Sequence, residues 1–499
     1  MTLDELVATC GSRPDDEDAH HDLARRAIAE GAEDRAGDLL RQFISRHPDD
    51  ARGWQWLALL LRGADQRREA IAAMTRAREL APHDPSIAQG LARLHLEAGL
   101  PSVADHLDAI RLKPGDTSIR LGLASARLAD GDGAAALAEL GALLTANPGW
   151  IEGHRQYGQL AAQVGAENPL ASVDEALERF PDSAALHEVA ITALAMSERH
   201  DAALARAERA TQLLGALPVF SWARAVALDE LQQGMAAAAA FDALGPASTG
   251  AQAVFRIRHL LRRGELQQAG DEIDRWLERD ERHLIWPYAH LVWRATGDRR
   301  ATWLEQEGEL VAEIDLGMTP AELDETTTLL RGLHRRAGRF LDQSVRFGSQ
   351  TDGPLLARID PPIERLRERL REAVTDYIAT LPPPRPGHPL LGLRRDQRPR
   401  FCGSWSVRLT DKGFHTSHHH PEGWISSAFY LLVPGGAATD SGVLELGGSP
   451  PGLGLGLAPL RRIEPAAGRL ALFPSTMWHS TTPFPAGERL TVAFDVARP

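Results

Sequence analysis

The sequence predicts a multidomain chain: an α-helical solenoid of stacked helix pairs, followed by a β-sandwich or jelly-roll domain. Three observations predict it. A proline recurs after an apolar helix end at Pro48, Pro82, Pro114, Pro148 and Pro181, with spacings of 34, 32, 34 and 33, and a period near 34 marks a stacked helix-turn-helix array. Residues 1 to about 340 are rich in Ala, Leu, Arg and Glu and poor in β-branched runs, which favours helix. From Phe401 the texture changes to short aromatic or β-branched runs separated by Gly, Pro, Asp and Ser, which reads as strands.

The unit from Ala51 to Pro82 justifies the helical part. Trp54, Leu57, Ala58 and Leu61 share one face of a first helix, and Ala70, Met74 and Ala77 share one face of a second. Small residues at Ala58 and Ala70 let the two helices approach, and Trp54, Leu57 and Met74 fill the space between units. The pattern resembles the tetratricopeptide repeat, with Ala58, Leu61 and Met74 in place of its Gly, Tyr and Phe. The resemblance implies a helical scaffold with a concave face that commonly holds peptide segments. Units become less regular beyond Pro218, although paired-helix patterns continue to about residue 335.

A junction follows. Asp360-Pro361-Pro362 is a helix-start signal, and Ile363, Leu366, Leu370, Val374 and Tyr377 form one apolar stripe that stops at Leu381-Pro382. The basic run from Arg394 to Arg400 reads as a solvated linker. The expected boundaries are 1–340 for the repeat array, 341–399 for the helical linker and junction, and 400–499 for the jelly-roll domain. Strands are expected at Trp405–Leu409, Ile425–Val433, Val443–Leu446, Leu470–Phe473 and Leu490–Val496. Pro451-Gly452-Leu453-Gly454-Leu455-Gly456 has no following helix or Lys-Ser/Thr pair, so it is no phosphate cradle and reads as a flexible loop.

Composition removes whole classes of function. The chain has 499 residues, 43% hydrophobic and 25% charged, enough for a large core. Its net charge of -13 argues against a general nucleic-acid binder. From Arg400 onward basic and acidic residues nearly balance, so the acidity belongs to the helical part. Cys10 and Cys402 alone cannot make a disulfide framework or a cysteine-based zinc site. The start, MTLDELVATC, lacks the basic and apolar segments of a signal peptide. There is no run of about 18 apolar residues to span a membrane, and a reducing cytoplasm is the expected compartment.

The sharpest local feature is His418-His419-His420-Pro421-Glu422, just ahead of a strand. Side chains alternate faces on an extended chain, so His418 and His420 point one way and His419 the other. His479 follows 59 residues after His420, and Arg489 ten residues later, with a turn at Pro483 to Gly487 expected to set the His and Arg strands side by side. With Ser426-Ser427-Ala428-Phe429-Tyr430-Leu431, Gly468 to Ser475 and Glu488 to Asp495 in order, this stretch resembles the 2-oxoglutarate/Fe(II)-dependent oxygenases. The closest likeness is to the prolyl-hydroxylase-like subgroup with an H-x-H-P motif.

That resemblance implies a double-stranded β-helix (jelly roll). It implies Fe(II) held by His418, His420 and His479, and 2-oxoglutarate gripped by Arg489, with Thr491 and Tyr430 as further donors. It also implies oxidative decarboxylation to succinate and carbon dioxide, with hydroxylation of an unactivated carbon. Most of the wider family has a carboxylate where His420 stands, so a second set, His420, Glu422 and His479, stays open. Trp405, Arg408 and Trp424 flank the expected mouth, and Asp411 and Asp495 carry no argued role.

The expected function is therefore a dioxygenase acting with dioxygen on a peptide or protein side chain that the repeats present. The alternatives are an interaction scaffold whose oxygenase part is inactive, and an oxygenase for a small molecule that uses its repeats for assembly. Arg489 and His479 speak against the inert scaffold, because a dead domain need not keep a cofactor clamp.

Overall fold

The computed structural model describes residues 1–305, 309–334, 344–434 and 440–499. The backbone divides into two compact units. One comprises Met1–Leu140, Asp352–Glu368 and Pro499, and the other Gly141–Thr351 and Arg369–Arg498.

In the first unit each repeat opens on a capped helix. Pro48, Pro82 and Pro114 each stand two residues ahead of Asp50, Asp84 and Asp116. Those carboxylates accept backbone N–H bonds at the starts of helices Ala51–Gly63, Pro85–Glu97 and Thr117–Ala129. The period in proline is thus a period in helix starts, because proline cannot extend the helix behind it and Asp satisfies the free donors of the helix ahead. The partner of Ala51–Gly63 is Arg67–Leu80. Leu57, Ala58, Leu61, Ala70, Met74 and Ala77 are all buried. Trp54 is half-buried, its indole N–H donating to the Pro48 carbonyl at 2.9 Å.

The second unit carries further helix pairs, among them Ala184–Met196 with His200–Leu214 and Gly250–Arg262 with Leu266–Leu277, and then the helix Trp286–Thr296. Among the described residues it also carries nine strands: β1 (Ala312–Asp315), β2 (Val345–Gln350), β3 (Phe401–His415), β4 (Ile425–Leu432), β5 (Leu444–Leu446), β6 (Arg461–Ile463), β7 (Arg469–Pro474), β8 (His479–Thr481) and β9 (Arg489–Val496). They form a six-stranded sheet in the order β1-β7-β4-β9-β3-β2 and a three-stranded sheet in the order β6-β5-β8. Every pairing is antiparallel. Ala471 and Phe473 of the larger sheet pack on Leu444, Leu446 and Ile463 of the smaller, closing a jelly-roll core.

The structure departs from the sequence reading in several places. Val345–Gln350, inside the span expected for a helical linker, is an edge strand paired with β3. Ala312–Asp315, inside the span expected for helices, is an edge strand paired with β7. At four residues it is too short to show a period. The turn before Arg489 does not set the His and Arg strands side by side: β8 joins the small sheet and β9 the large one. The two residues therefore face each other across the roll, and the Arg489 Nη2 reaches Thr481 Oγ1 at 3.3 Å. The glycine-rich loop is pinned rather than flexible. Leu453 is buried in a cluster with Trp286, Tyr288, Trp293 and Trp478. Arg262 Nε donates to the Gly452 carbonyl at 3.1 Å, and Arg294 Nη2 to that of Ala458 at 2.9 Å.

Candidate metal centre and active-site cavity

His418 lies ahead of β4 and is stitched to the first residue of β8. Its backbone N–H donates to the His479 carbonyl at 3.0 Å and the His479 N–H to the His418 carbonyl at 2.8 Å. This bridge fixes two of the three imidazoles. The ring centroids stand 4.1 Å apart for His418 and His479, 5.1 Å for His418 and His420, and 5.0 Å for His420 and His479. One ring nitrogen from each lies within 4.8 Å of the others, close enough to converge on one ion.

Hydrogen bonds behind the rings fix which nitrogen is free. The Nδ1 of His418 faces the Thr416 carbonyl at 2.8 Å, and that of His479 the Met477 carbonyl at 3.1 Å. The Nδ1 of His420 faces both oxygens of Asp495 at 2.8 and 2.9 Å. A carbonyl or carboxylate can only accept, so each Nδ1 carries a proton and Nε2 is the nitrogen left to meet a ligand, that of His418 lying 3.3 Å from Ser344 Oγ. Burial, and then the neighbouring His420, push His418 down to about 3. Burial, His418 and His420 hold His479 well below its ordinary value. Both rings are therefore neutral at pH 7 and able to bind a metal.

His419 points away from this cluster, as strand alternation predicts. Its ring sits edge-on to Tyr288 at 5.7 Å and to Trp478 at 4.5 Å. Glu422 also points away. The chain turns at Pro421 and Glu422, which breaks the alternation. The Glu422 carboxylate stands in solvent, 3.3 Å from His283 Nε2. The donors that meet are those of His418, His420 and His479.

Across the cavity Arg489 is only 2% exposed. Its Nη1 donates to the Gly442 carbonyl at 2.9 Å, but among the described residues its Nε has no partner, and neither has the hydroxyl of the fully enclosed Tyr430. Tyr430 stands opposite Thr491 in the β4–β9 register. The Thr491 hydroxyl is only 3.5 Å from the Val407 carbonyl. Burial pulls the Arg489 guanidinium below its usual range. Among the described residues no carboxylate pairs with it. A buried, uncompensated cation beside an orphaned phenol is costly, and an entering carboxylate relieves both. The donor set therefore fits Fe(II) and a dicarboxylic keto acid.

One cavity of about 820 Å³ joins these groups. The three histidines, Arg489 and Trp405 line it from the strands, and Met196, Glu230, Arg258 and Tyr288 from the helices. Of the expected mouth residues only Trp405 faces this space. Trp424 is buried, its indole N–H donating to the Leu390 carbonyl at 3.0 Å, and Arg408 pairs with Glu488 at 2.7 Å. The sequence reading missed Asp495 behind His420 and His415 beside His418. Alternation along β9 held the signal for the first: Arg489, Thr491, Ala493 and Asp495 share a parity and hence a face.

Three histidines close enough to share a metal ion and a buried arginine on a jelly roll, joined to tetratricopeptide-like helix pairs, fit one class: a repeat protein carrying a 2-oxoglutarate/Fe(II)-dependent oxygenase domain. The family model described as "Putative 2OG-Fe(II) oxygenase" matches residues 403–495. The cofactors of that class are Fe(II) and 2-oxoglutarate, and the chain is an enzyme of it. No curated protein matches the chain. Among solved structures, YrrB, a TPR protein with an unusual peptide-binding site, is 15% identical over 36% of this chain and 95% of its own, with a TM-score of 0.29. A Pseudomonas putida prolyl-4-hydroxylase is 15% identical over 39% of this chain and 96% of its own, with a TM-score of 0.27. A tetratricopeptide repeat protein from Parabacteroides merdae is 14% identical over 48% and 96%, with a TM-score of 0.31. Scores this low bear on nothing beyond the likeness itself. Among the described residues no helix is long and apolar enough to cross a membrane.

Proposed function

We propose that the chain hydroxylates a side chain of a peptide or protein, delivered to the metal along its repeat helices. His418, His420 and His479 hold Fe(II), and Arg489 grips the distal carboxylate of 2-oxoglutarate with Tyr430 and Thr491 beside it. The single observation that carries this reading is the shared cavity: one space has the histidines and Arg489 on its strand side and Met196, Glu230, Arg258 and Tyr288 on its helix side. A domain serving a small molecule alone needs no wall from a repeat array.

When bound, the iron and keto acid supply dioxygen activation, with decarboxylation to succinate and carbon dioxide and oxidation of a C–H bond. The protein's part is positioning. The Nδ1–H bonds of the three histidines hold their Nε2 lone pairs toward one point. Arg489 offers Nε to a carboxylate in a fixed plane, where a lysine offers only a point charge. Phe473 packs its ring 4.9 Å from that of His479 on the cavity wall.

Anaerobic titration with Fe(II) and 2-oxoglutarate tests the reading. A visible metal-to-ligand charge-transfer band is expected for wild type and for His419→Ala, and none for His418→Ala or His479→Ala. Absence of the band in wild type, with 2-oxoglutarate binding unchanged by His479→Ala, leaves an inactive repeat scaffold. Turnover of 2-oxoglutarate that metabolite mixtures stimulate and peptide pools do not favours the small-molecule alternative.

A further inference from the structure

We infer that Asp495 supplies, through His420, the negative charge that the metal site lacks among its direct ligands. The inference rests on the metal-site reading above. Three imidazole ligands bring no negative charge of their own to a divalent ion, whereas two histidines and a carboxylate cancel part of its charge. Asp495 stands directly behind the histidine that occupies the carboxylate slot. Both its oxygens lie within hydrogen-bond reach of His420 Nδ1, at 2.8 and 2.9 Å. Ser426 Oγ donates to one of them at 2.6 Å, which fixes the plane of the carboxylate.

Among the described residues no Lys or Arg pairs with Asp495. The Asp495 side chain is 13% exposed, and among the described residues its only salt-bridge partner is His420. A largely buried carboxylate needs a positive partner. A metal on the far nitrogen of the same ring provides one. In return the carboxylate draws on the Nδ1 proton, raises the basicity of Nε2 and holds the ring in one orientation, as partners behind metal-bound histidines generally do. His418 and His479 have only backbone carbonyls in that place. The charge therefore reaches the metal through His420 alone. Asp495 is a positioning and charge-supplying residue, not a ligand.

The test compares charge at constant shape. Asp495→Asn and Asp495→Glu are titrated anaerobically with Fe(II), and the charge-transfer band is recorded with 2-oxoglutarate present. Asp495→Asn keeps an acceptor for Nδ1–H but loses the charge. Its Fe(II) affinity is expected to fall about tenfold or more, within the roughly 10- to 100-fold range for such partners. Its band is expected to move to shorter wavelength, because a poorer donor set makes the iron harder to oxidise. Asp495→Glu is expected to stay within about threefold of wild type, as is Ser426→Ala, which removes a support but not the charge.

Equal affinity and band position in Asp495→Asn and wild type would overturn the inference while leaving the metal site intact. So would an equal loss in Asp495→Asn and Ser426→Ala, which marks a merely structural role. If Asp495→Asn does not fold, Asp495→Gln against Asp495→Glu asks the same question at the longer side chain. If wild type itself takes up no iron, the inference falls with the reading it rests on.

Discussion

At the scale of single residues, the consequence of burial depends on whether a partner is present. Arg489 is buried without an anion, so its guanidinium is available to one. A charge-assisted hydrogen bond to a carboxylate contributes about 1.5–3 kcal/mol. Arg489→Lys is thus expected to weaken 2-oxoglutarate binding by roughly 10- to 150-fold with Fe(II) affinity unchanged, as calorimetry with and without the keto acid would show. His388 is the opposite case. It is buried with its bonds complete: Nδ1 accepts from the N–H groups of Leu390 and Leu391 at 3.1 and 3.0 Å, and Nε2 donates to the Leu304 carbonyl at 3.1 Å. Burial pushes it down to about 4 from an ordinary value of 6.5. The unfolded chain therefore binds the proton first, and stability is lost as pH falls from about 6.5 toward 4. The melting temperature should drop across that window, and less steeply in His388→Asn.

At the scale of elements, the glycine-rich loop shows how composition misleads. Six alternating glycines and apolar residues carry no period, and nothing within the segment requires it to be fixed. Its order comes from Leu453, 3% exposed against Trp286, Tyr288 and Trp478, from Arg262 holding the Gly452 carbonyl, and from Arg294 holding the flanking carbonyls of Gly447 and Ala458. Leu453→Ala should cost about 2–4 kcal/mol in chemical unfolding, where a free loop would lose almost nothing. Strand β9 makes the contrary point. Its Leu-Thr-Val-Ala-Phe run reads as a strand unaided, and its parity places Arg489, Thr491 and Asp495 on one face. The edge strands β1 and β2 were not legible. One has four residues, and the other bulges between Arg346 and Gly348. Both are strands because a neighbouring strand offers them hydrogen bonds.

At the scale of the whole molecule, the second unit joins helices and strands through one apolar cluster. Trp478, next to the candidate ligand His479, is 7% exposed within it, and its indole N–H donates to the Pro287 carbonyl at 3.0 Å. The helix Trp286–Thr296 thus supports the residue adjoining the metal site. A fragment beginning at residue 309 exposes Trp478 and Leu453. It is expected to bind an apolar-surface dye and to give no charge-transfer band. A fragment that melts cooperatively and takes up Fe(II) with the affinity of the full chain would remove this dependence. The expected boundary between array and oxygenase rested on a change of composition. Composition could not show that helices as far back as Ala184–Met196 line the cavity.

The sequence alone determined the kinds of structure and named candidate donors, with Glu422 left open as an alternative to His418. Proline and Asp recur because each repeat needs a helix stop and a helix start, and alternation commits His418 and His420 to one side and His419 to the other. Those are local consequences of backbone geometry, readable wherever a period or a parity exists. Only the tertiary structure decided that Glu422 turns to solvent, that Asp495 backs His420, and that β8 and β9 face each other from different sheets. These depend on which distant strand a segment pairs with, and that choice is made by the burial of the whole domain; parity along β9 gives the face of Asp495 but not the partner it meets there.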